Sequence, residues 1–235
     1  MAANRFGVRS ADGIPLTVWV EGQGPSLVLV HGSLIDHTTF GPLVAELRDG
    51  MTTFAMDRRG FGASGDAPGY AIEREFEDVA AVVEAVAART GGPVALWGHS
   101  YGAGCAMGGA ALTGDVHHLV LYEPGLGIAY PAGSIEEIEQ AVAAGDLETA
   151  LLAVLAGVVG MTQEEIASLR SGERWPALLA GVPAVPRECR AEDGWVYRPG
   201  LRPVQSIPRY AFWTCSFWLR RFASSVRAMR PVSIT

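Results

Sequence analysis

One serine with a glycine two residues to either side constrains this 235-residue chain more than any other feature. In Gly98-His99-Ser100-Tyr101-Gly102 the preceding stretch, Pro93-Val94-Ala95-Leu96-Trp97, is apolar and of strand length. The following stretch, Ala103 to Leu112, is rich in small residues and has no proline, which predicts a helix. The five residues therefore sit where a strand turns sharply into a helix. A side chain two residues before or after the serine would collide with the neighbouring strand or helix, and the turn strains the serine backbone. Such a turn exposes the serine oxygen above the sheet. It also puts the N–H of Tyr101 at a helix start, where a developing negative charge is favoured. Ser100 is the candidate nucleophile and Tyr101 a candidate oxyanion-hole donor.

The five-residue pattern is weak by itself, so its surroundings decide. Asn4–Arg9 and Leu16–Glu21 read as strands joined at Asp12-Gly13. Leu27-Val28-Leu29-Val30 is continuously apolar, as a strand buried on both faces should be, and it ends in His31-Gly32-Ser33. Gly32 allows the chain to pass close to a substrate, and the N–H of Ser33 then serves as the second oxyanion donor. His31, Gly32 and His99 line the expected pocket; His31 holds its loop by hydrogen bonds rather than acting as a base. The alternative for this corner is an ordinary strand-to-helix turn.

Asp36–Leu47 reads as a helix, Thr52–Met56 as a strand and Ile72–Thr90 as a long helix with an apolar stripe. Between the last two lies Asp57-Arg58-Arg59-Gly60-Phe61-Gly62-Ala63-Ser64-Gly65-Asp66. This loop has no lysine and no helix directly after it, so it reads as a turn tied down by Asp57 and the arginines rather than a phosphate cradle. His118–Tyr122 is a further strand, leading to Glu123. Alternating strands and helices of this kind predict a mostly parallel sheet with helices on both faces. Residues 134–180 then read as helices over Ser134–Ala144, Asp146–Val159, Thr162–Ser171 and Trp175–Leu179. Ser134 with Glu137 and Thr162 with Glu165 are candidate capping boxes. A helical block in this place predicts a lid that shapes the pocket and excludes water.

Composition excludes several other classes. The chain is 49% hydrophobic, ample for a buried core, and it has no apolar run of membrane-span length. Its start has no signal-peptide core, which makes a cytoplasmic location the expectation. Cys105, Cys189 and Cys215 have neither metal nor disulfide spacing, and neither a metal nor a cofactor is expected. All 18 basic residues are arginine, and the net charge of −7 is unevenly spread. Every acidic residue lies at or before Asp193, while residues 194–235 are basic. With an acidic body, nucleic acid is not an expected partner; a small molecule is.

With Leu29-Val30-His31-Gly32-Ser33, the Asp57–Ser64 loop and Gly98–Gly102 in this order, residues 4–198 closely resemble the α/β-hydrolase superfamily. The resemblance implies an α/β-hydrolase fold with core 1–124, helical lid 125–192 and an atypical segment 193–235. It implies hydrolysis by a serine nucleophile, Ser100, of an ester, amide, thioester or activated C–C bond, with Ser33 and Tyr101 as oxyanion donors. Serine at the turn separates it from dehalogenase-like and epoxide-hydrolase-like branches, which carry aspartate there. The family triad continues with an acid and then a histidine. Here the histidines are His31, His37, His99, His117 and His118, and none follows the acid position. Glu123 is the one alternative acid, the other reading being a carboxylate at the pocket floor. The closing strands of the sheet are expected to be missing. Residues 194–235 read as a shifted frame or truncation, or else as a divergent tail whose Trp218, Leu219, Phe222, Val226 and Met229 share one helix face. Two functions stay open: a serine hydrolase impaired for want of its base, and a non-catalytic relative that binds a ligand or partner.

Overall fold

The computed structural model describes residues 4–125, 130–193 and 195, and the backbone of 209–213. The chain divides into two compact units. The first is built on a seven-stranded sheet in the order β1-β2-β4-β3-β5-β6-β7. Its strands are β1 (Arg5–Arg9), β2 (Pro15–Gly22), β3 (Ser26–Val30), β4 (Thr52–Asp57), β5 (Val94–His99), β6 (Val116–Tyr122) and β7 (Arg209–Trp213). β2 runs antiparallel to β1 and β4, and the remaining pairs are parallel. The apolar run of β3 lies at the sheet centre, where Leu27 to Val30 are buried on both faces.

Side-chain alternation assigns the helices to faces. Leu27, Leu29, Ala55 and Trp97 form one cluster with Phe40, Leu43 and Val44, so α1 (Gly41–Leu47) covers that face. The opposite face carries α2 (Ile72–Thr90) and α3 (Tyr101–Leu112). These two helices pack closely because α3 meets α2 through Gly108 and Gly109. A Cβ on Gly109 would stand 2.6 Å from Cβ of Val79, and one on Gly108 would enter the Phe76 ring.

The second unit takes Ser33–Ile35 and the helices α4 (Ser134–Ala143), α5 (Leu147–Ala153), α6 (Gln163–Arg170), α7 (Trp175–Gly181) and α8 (Val185–Glu192). Leu34 and Ile35 pack into its core with Ile135, Leu151, Val154 and Trp175. The Arg190 guanidinium donates to Glu136 and Glu139, which ties α8 to α4.

The structure alters several sequence expectations. The Asp36–Leu47 helix is a 3₁₀ turn, His37–Phe40, followed by α1, because Pro42 has no N–H and suits only a first turn. Asp36 caps the 3₁₀ turn through Thr38 N. The Thr162–Glu165 capping box is present. The Ser134–Glu137 box is not: Gly133, at φ 83°, caps α4, and the Ser134 hydroxyl donates to Pro131 O. The Asp146–Val159 helix ends in a π turn over Val154–Val158. α8 lies beyond the helices read from the sequence, which end at Leu179; Pro183 and Pro186 each occupy a first-turn position, where no N–H is needed. β7 adds a strand parallel to β6, whereas the closing strands were expected to be missing. The amphipathic pattern over 218–229 lies outside the described residues. No helix among the described residues is long and apolar enough to cross a membrane.

Candidate active site

The strand-to-helix turn has the geometry its glycines demand. Ser100 stands at φ 52°, ψ −126°, a sparsely populated conformation for a residue with a side chain. A Cβ on Gly98 would lie 2.5 Å from Gly102 O and 2.7 Å from Ala103 Cα. One on Gly102 would run into His31 O and lie 2.8 Å from Val30 O. Glycine at both places lets α3 start directly against β3 and β5. The turn is fixed by Ser100 N donating to Tyr122 O at 3.0 Å and by Ala103 N donating to Ser100 O at 2.9 Å. Half-buried Ser100 thus ends β5 at the carboxyl edge of the parallel strands, and Tyr101 is the first residue of α3.

The end of β3 closes on the same point. A Cβ on Gly32 would stand 3.0 Å from Ser100 Cβ and 3.3 Å from His99 Nδ1. Gly32, His99 and Ser100, singled out separately from the sequence, are therefore neighbours. Ser33, the next residue, is grouped with the second unit. The His99 ring lies in an aromatic row with Trp97 and Tyr122, at centroid distances of 6.2 and 5.6 Å. Trp97 and Tyr122 of that row pack in one cluster with Phe40, Leu43 and Val44. Glu123 follows β6 in a left-handed conformation, φ 46°.

His31 is fully buried. Its Nε2 accepts from Arg58 N at 3.0 Å, so Nδ1 carries the proton and donates to Gly32 O at 2.8 Å. Burial, with the Arg58 charge beside it, pushes its pKa down to about 3. The ring is a neutral strut, as its expected loop-holding role requires. An unfolded His31 takes up a proton near pH 6.5, whereas the folded one resists until about 3. Its contribution to stability is therefore complete above pH 6.5 and declines on acidification through that window. Between pH 7 and pH 5 the wild type should lose more denaturant resistance than His31→Gln, and urea melts at both pH values check this.

Two clusters beside the site escaped the sequence reading in detail. The first is a clasp around Asp57, whose side chain is wholly buried. Oδ1 accepts from His37 N and Nδ1, and Oδ2 from Trp19 Nε1 and Ala63 N, at 2.7–3.0 Å. Burial raises the Asp57 pKa, but the bonds from His37, Ala63 and Trp19 outweigh it and hold the group at about 2. The His37 ring lies flat on Trp19 at 4.1 Å. Asp36, His37 and Asp57 offer ligand atoms within 4.8 Å of one another. The four donors already on Asp57 make this a hydrogen-bonded clasp rather than a metal centre. The second cluster joins Arg58, Tyr70, Glu75 and Tyr101. The loop motif pointed to Asp57 and the arginines; nothing local in the sequence pointed to Trp19, His37, Tyr70 or Glu75.

This arrangement of sheet, turn and β3 corner has known counterparts. Residues 27–234 match the alpha/beta hydrolase family. The chain is 31% identical over 221 residues to 2-(acetamidomethylene)succinate hydrolase of Mesorhizobium japonicum, covering 88% of this chain and 68% of that one. It is 36% identical over 103 residues to pimeloyl-(acyl-carrier protein) methyl ester esterase of Xylella fastidiosa, a match spanning 43% of this chain and 37% of the esterase. An alpha/beta hydrolase of Sphaerobacter thermophilus superposes with a TM-score of 0.72 at 31% identity, covering 79% of this chain and 73% of that one. The chain belongs to the alpha/beta hydrolase family.

Proposed function

We propose that this chain carries out nucleophilic hydrolysis at an acyl carbon through Ser100, on an ester, amide or activated C–C bond of a small substrate. The observation that carries the reading is the Ser100 backbone: a non-glycine residue is held in a strained conformation by two close backbone approaches, at the start of a helix. The Oγ attacks the carbonyl carbon, and the resulting oxyanion is held by the N–H groups of Tyr101 and Ser33. Collapse expels the leaving group with a proton and leaves an ester on Ser100, which water then hydrolyses. The curated relatives act on a succinate derivative and on a methyl ester, which supports hydrolysis of a small carboxylic acid derivative.

No histidine follows His118 in these 235 residues, and both ring nitrogens of His31 are engaged. A serine without its base loses about 10⁴–10⁶ in rate and keeps what the oxyanion hole supplies. The expected result is slow covalent labelling of Ser100 by a fluorophosphonate, seen as one added mass by intact-protein spectrometry, with feeble ester turnover. Ser100→Ala should abolish the labelling. Equal labelling of both proteins would sink the nucleophile reading and favour a non-catalytic, ligand-binding relative.

A further inference from the structure

Behind the turn, within the first unit, lies a closed ring of polar groups. The Tyr70 hydroxyl donates to Glu75 Oε1 at 3.0 Å. Its single proton is thereby committed, so in the 2.8 Å contact between the two tyrosine hydroxyls Tyr101 is the donor. Arg58 Nη2 lies 3.3 Å from the same Glu75 oxygen, and both side chains are wholly buried. The Arg58 guanidinium then closes the ring by lying over Tyr101, 4.9 Å from the ring centroid, and over Phe61 at 4.9 Å. Tyr101 itself is 3% exposed. The ring spans Arg58 after β4, Tyr70 ahead of α2, Glu75 in the first turn of α2 and Tyr101 at the start of α3.

Arg58 also has a second hold. Its backbone N–H donates to His31 Nε2, and His31 in turn holds Gly32 O. One residue therefore touches the β3 corner through its main chain and the α3 start through its side chain. A buried arginine–glutamate pair is weak evidence of a stability role, because desolvation offsets its attraction. Its placement calls for another account.

We infer that Arg58, with Glu75 and Tyr70, is a positioning device for the oxyanion hole, setting the Tyr101 N–H against the Gly32 corner. This inference rests on the Ser100 reading above. Glu75 neutralises Arg58 and gives the tyrosine chain its direction, and Tyr101 cannot turn its ring without breaking the hydroxyl chain and leaving the guanidinium. The backbone N–H of Tyr101 is thereby fixed before any substrate arrives, which is how a preorganised donor favours the transition state over the ground state. None of the three positioning residues need touch substrate.

The test is the rate of phosphonylation at Ser100, resolved into the maximal rate and the probe's apparent affinity, for the full chain and for Tyr101→Phe, Glu75→Gln and Tyr70→Phe. A mispositioned donor costs part of the 10²–10³ that one oxyanion donor supplies, so a fall of about tenfold in the maximal rate is expected with affinity unchanged. Val18→Ala, a cavity in buried β2, is the control: it should lower the melting temperature and leave the maximal rate alone. If the three variants melt lower but label at the wild-type maximal rate, the ring is only structural and the inference is overturned. Glu75→Gln is a severe change within a buried pair; Tyr101→Phe removes one hydroxyl from a folded ring and decides the matter if Glu75→Gln does not fold. Failure of the wild type to label at Ser100 overturns the hydrolase reading and this inference together.

Discussion

Gly102→Ala is expected to destabilise the first unit more than any other single substitution named here. The added methyl would run into His31 O and lie 2.7 Å from its carbonyl carbon. Those are backbone atoms at the end of the central strand, with no rotamer to change. Either α3 withdraws from β3 or β3 shifts against β4 and β5, and each movement breaks packed contacts along a sheet buried on both faces. Overpacking of this kind costs about 1–3 kcal/mol where side chains can yield and more where they cannot. A loss of about 4–5 kcal/mol is a large part of the 5–15 kcal/mol available to a domain. Circular dichroism melts against Gly41→Ala check it: a Cβ on Gly41, at the start of α1, would meet nothing within 4 Å, so alanine there should be tolerated.

Asp57→Ala should be nearly as damaging, for a different reason. The substitution leaves Trp19 Nε1, His37 N, His37 Nδ1 and Ala63 N, all part-buried, without their acceptor. A buried donor stripped of its partner costs about 1–3 kcal/mol. Partial rescue by water leaves a total of about 3–5 kcal/mol, seen as a lower urea midpoint. The folded Asp57 titrates at about 2 against an ordinary 3.8, so its contribution is present above pH 4 and disappears as pH falls toward 2. The difference in stability between wild type and Asp57→Ala should therefore narrow across that interval. Asp57→Asn keeps the volume but turns an amide N–H₂ toward some of the same donors, and it should fall between the two.

The parts of the fold that the sequence made legible are those whose cause is local. The ends of α2 agree to the residue because Gly91, at φ 81°, stops the helix where the apolar stripe ends. The strand-to-helix turn was legible because glycine was required twice for steric reasons that could be stated in advance. The helices read from the sequence stop at Leu179, short of α8, where Pro183 and Pro186 fall in first turns and start helical segments rather than break them. The clasp and the ring were missed for a further reason. Trp19 meets Asp57 across 38 positions and Tyr70 meets Tyr101 across 31, and no periodicity encodes such distant pairs. The strand-to-helix turn is a local feature; the groups packed around it are tertiary.

The small-residue character of α3 has a consequence for how the protein comes together. Its twelve residues include Gly102, Gly104, Gly108 and Gly109, and each glycine inside a helix costs about 1 kcal/mol of intrinsic propensity. Such a segment does not hold a helix on its own in water. Its helical form therefore depends on packing against β5 and α2. Ser100 acquires its strained conformation with that packing. A partly folded form of this chain lacks the turn, and every molecule that holds Ser100 in its strained conformation has already completed the core around it.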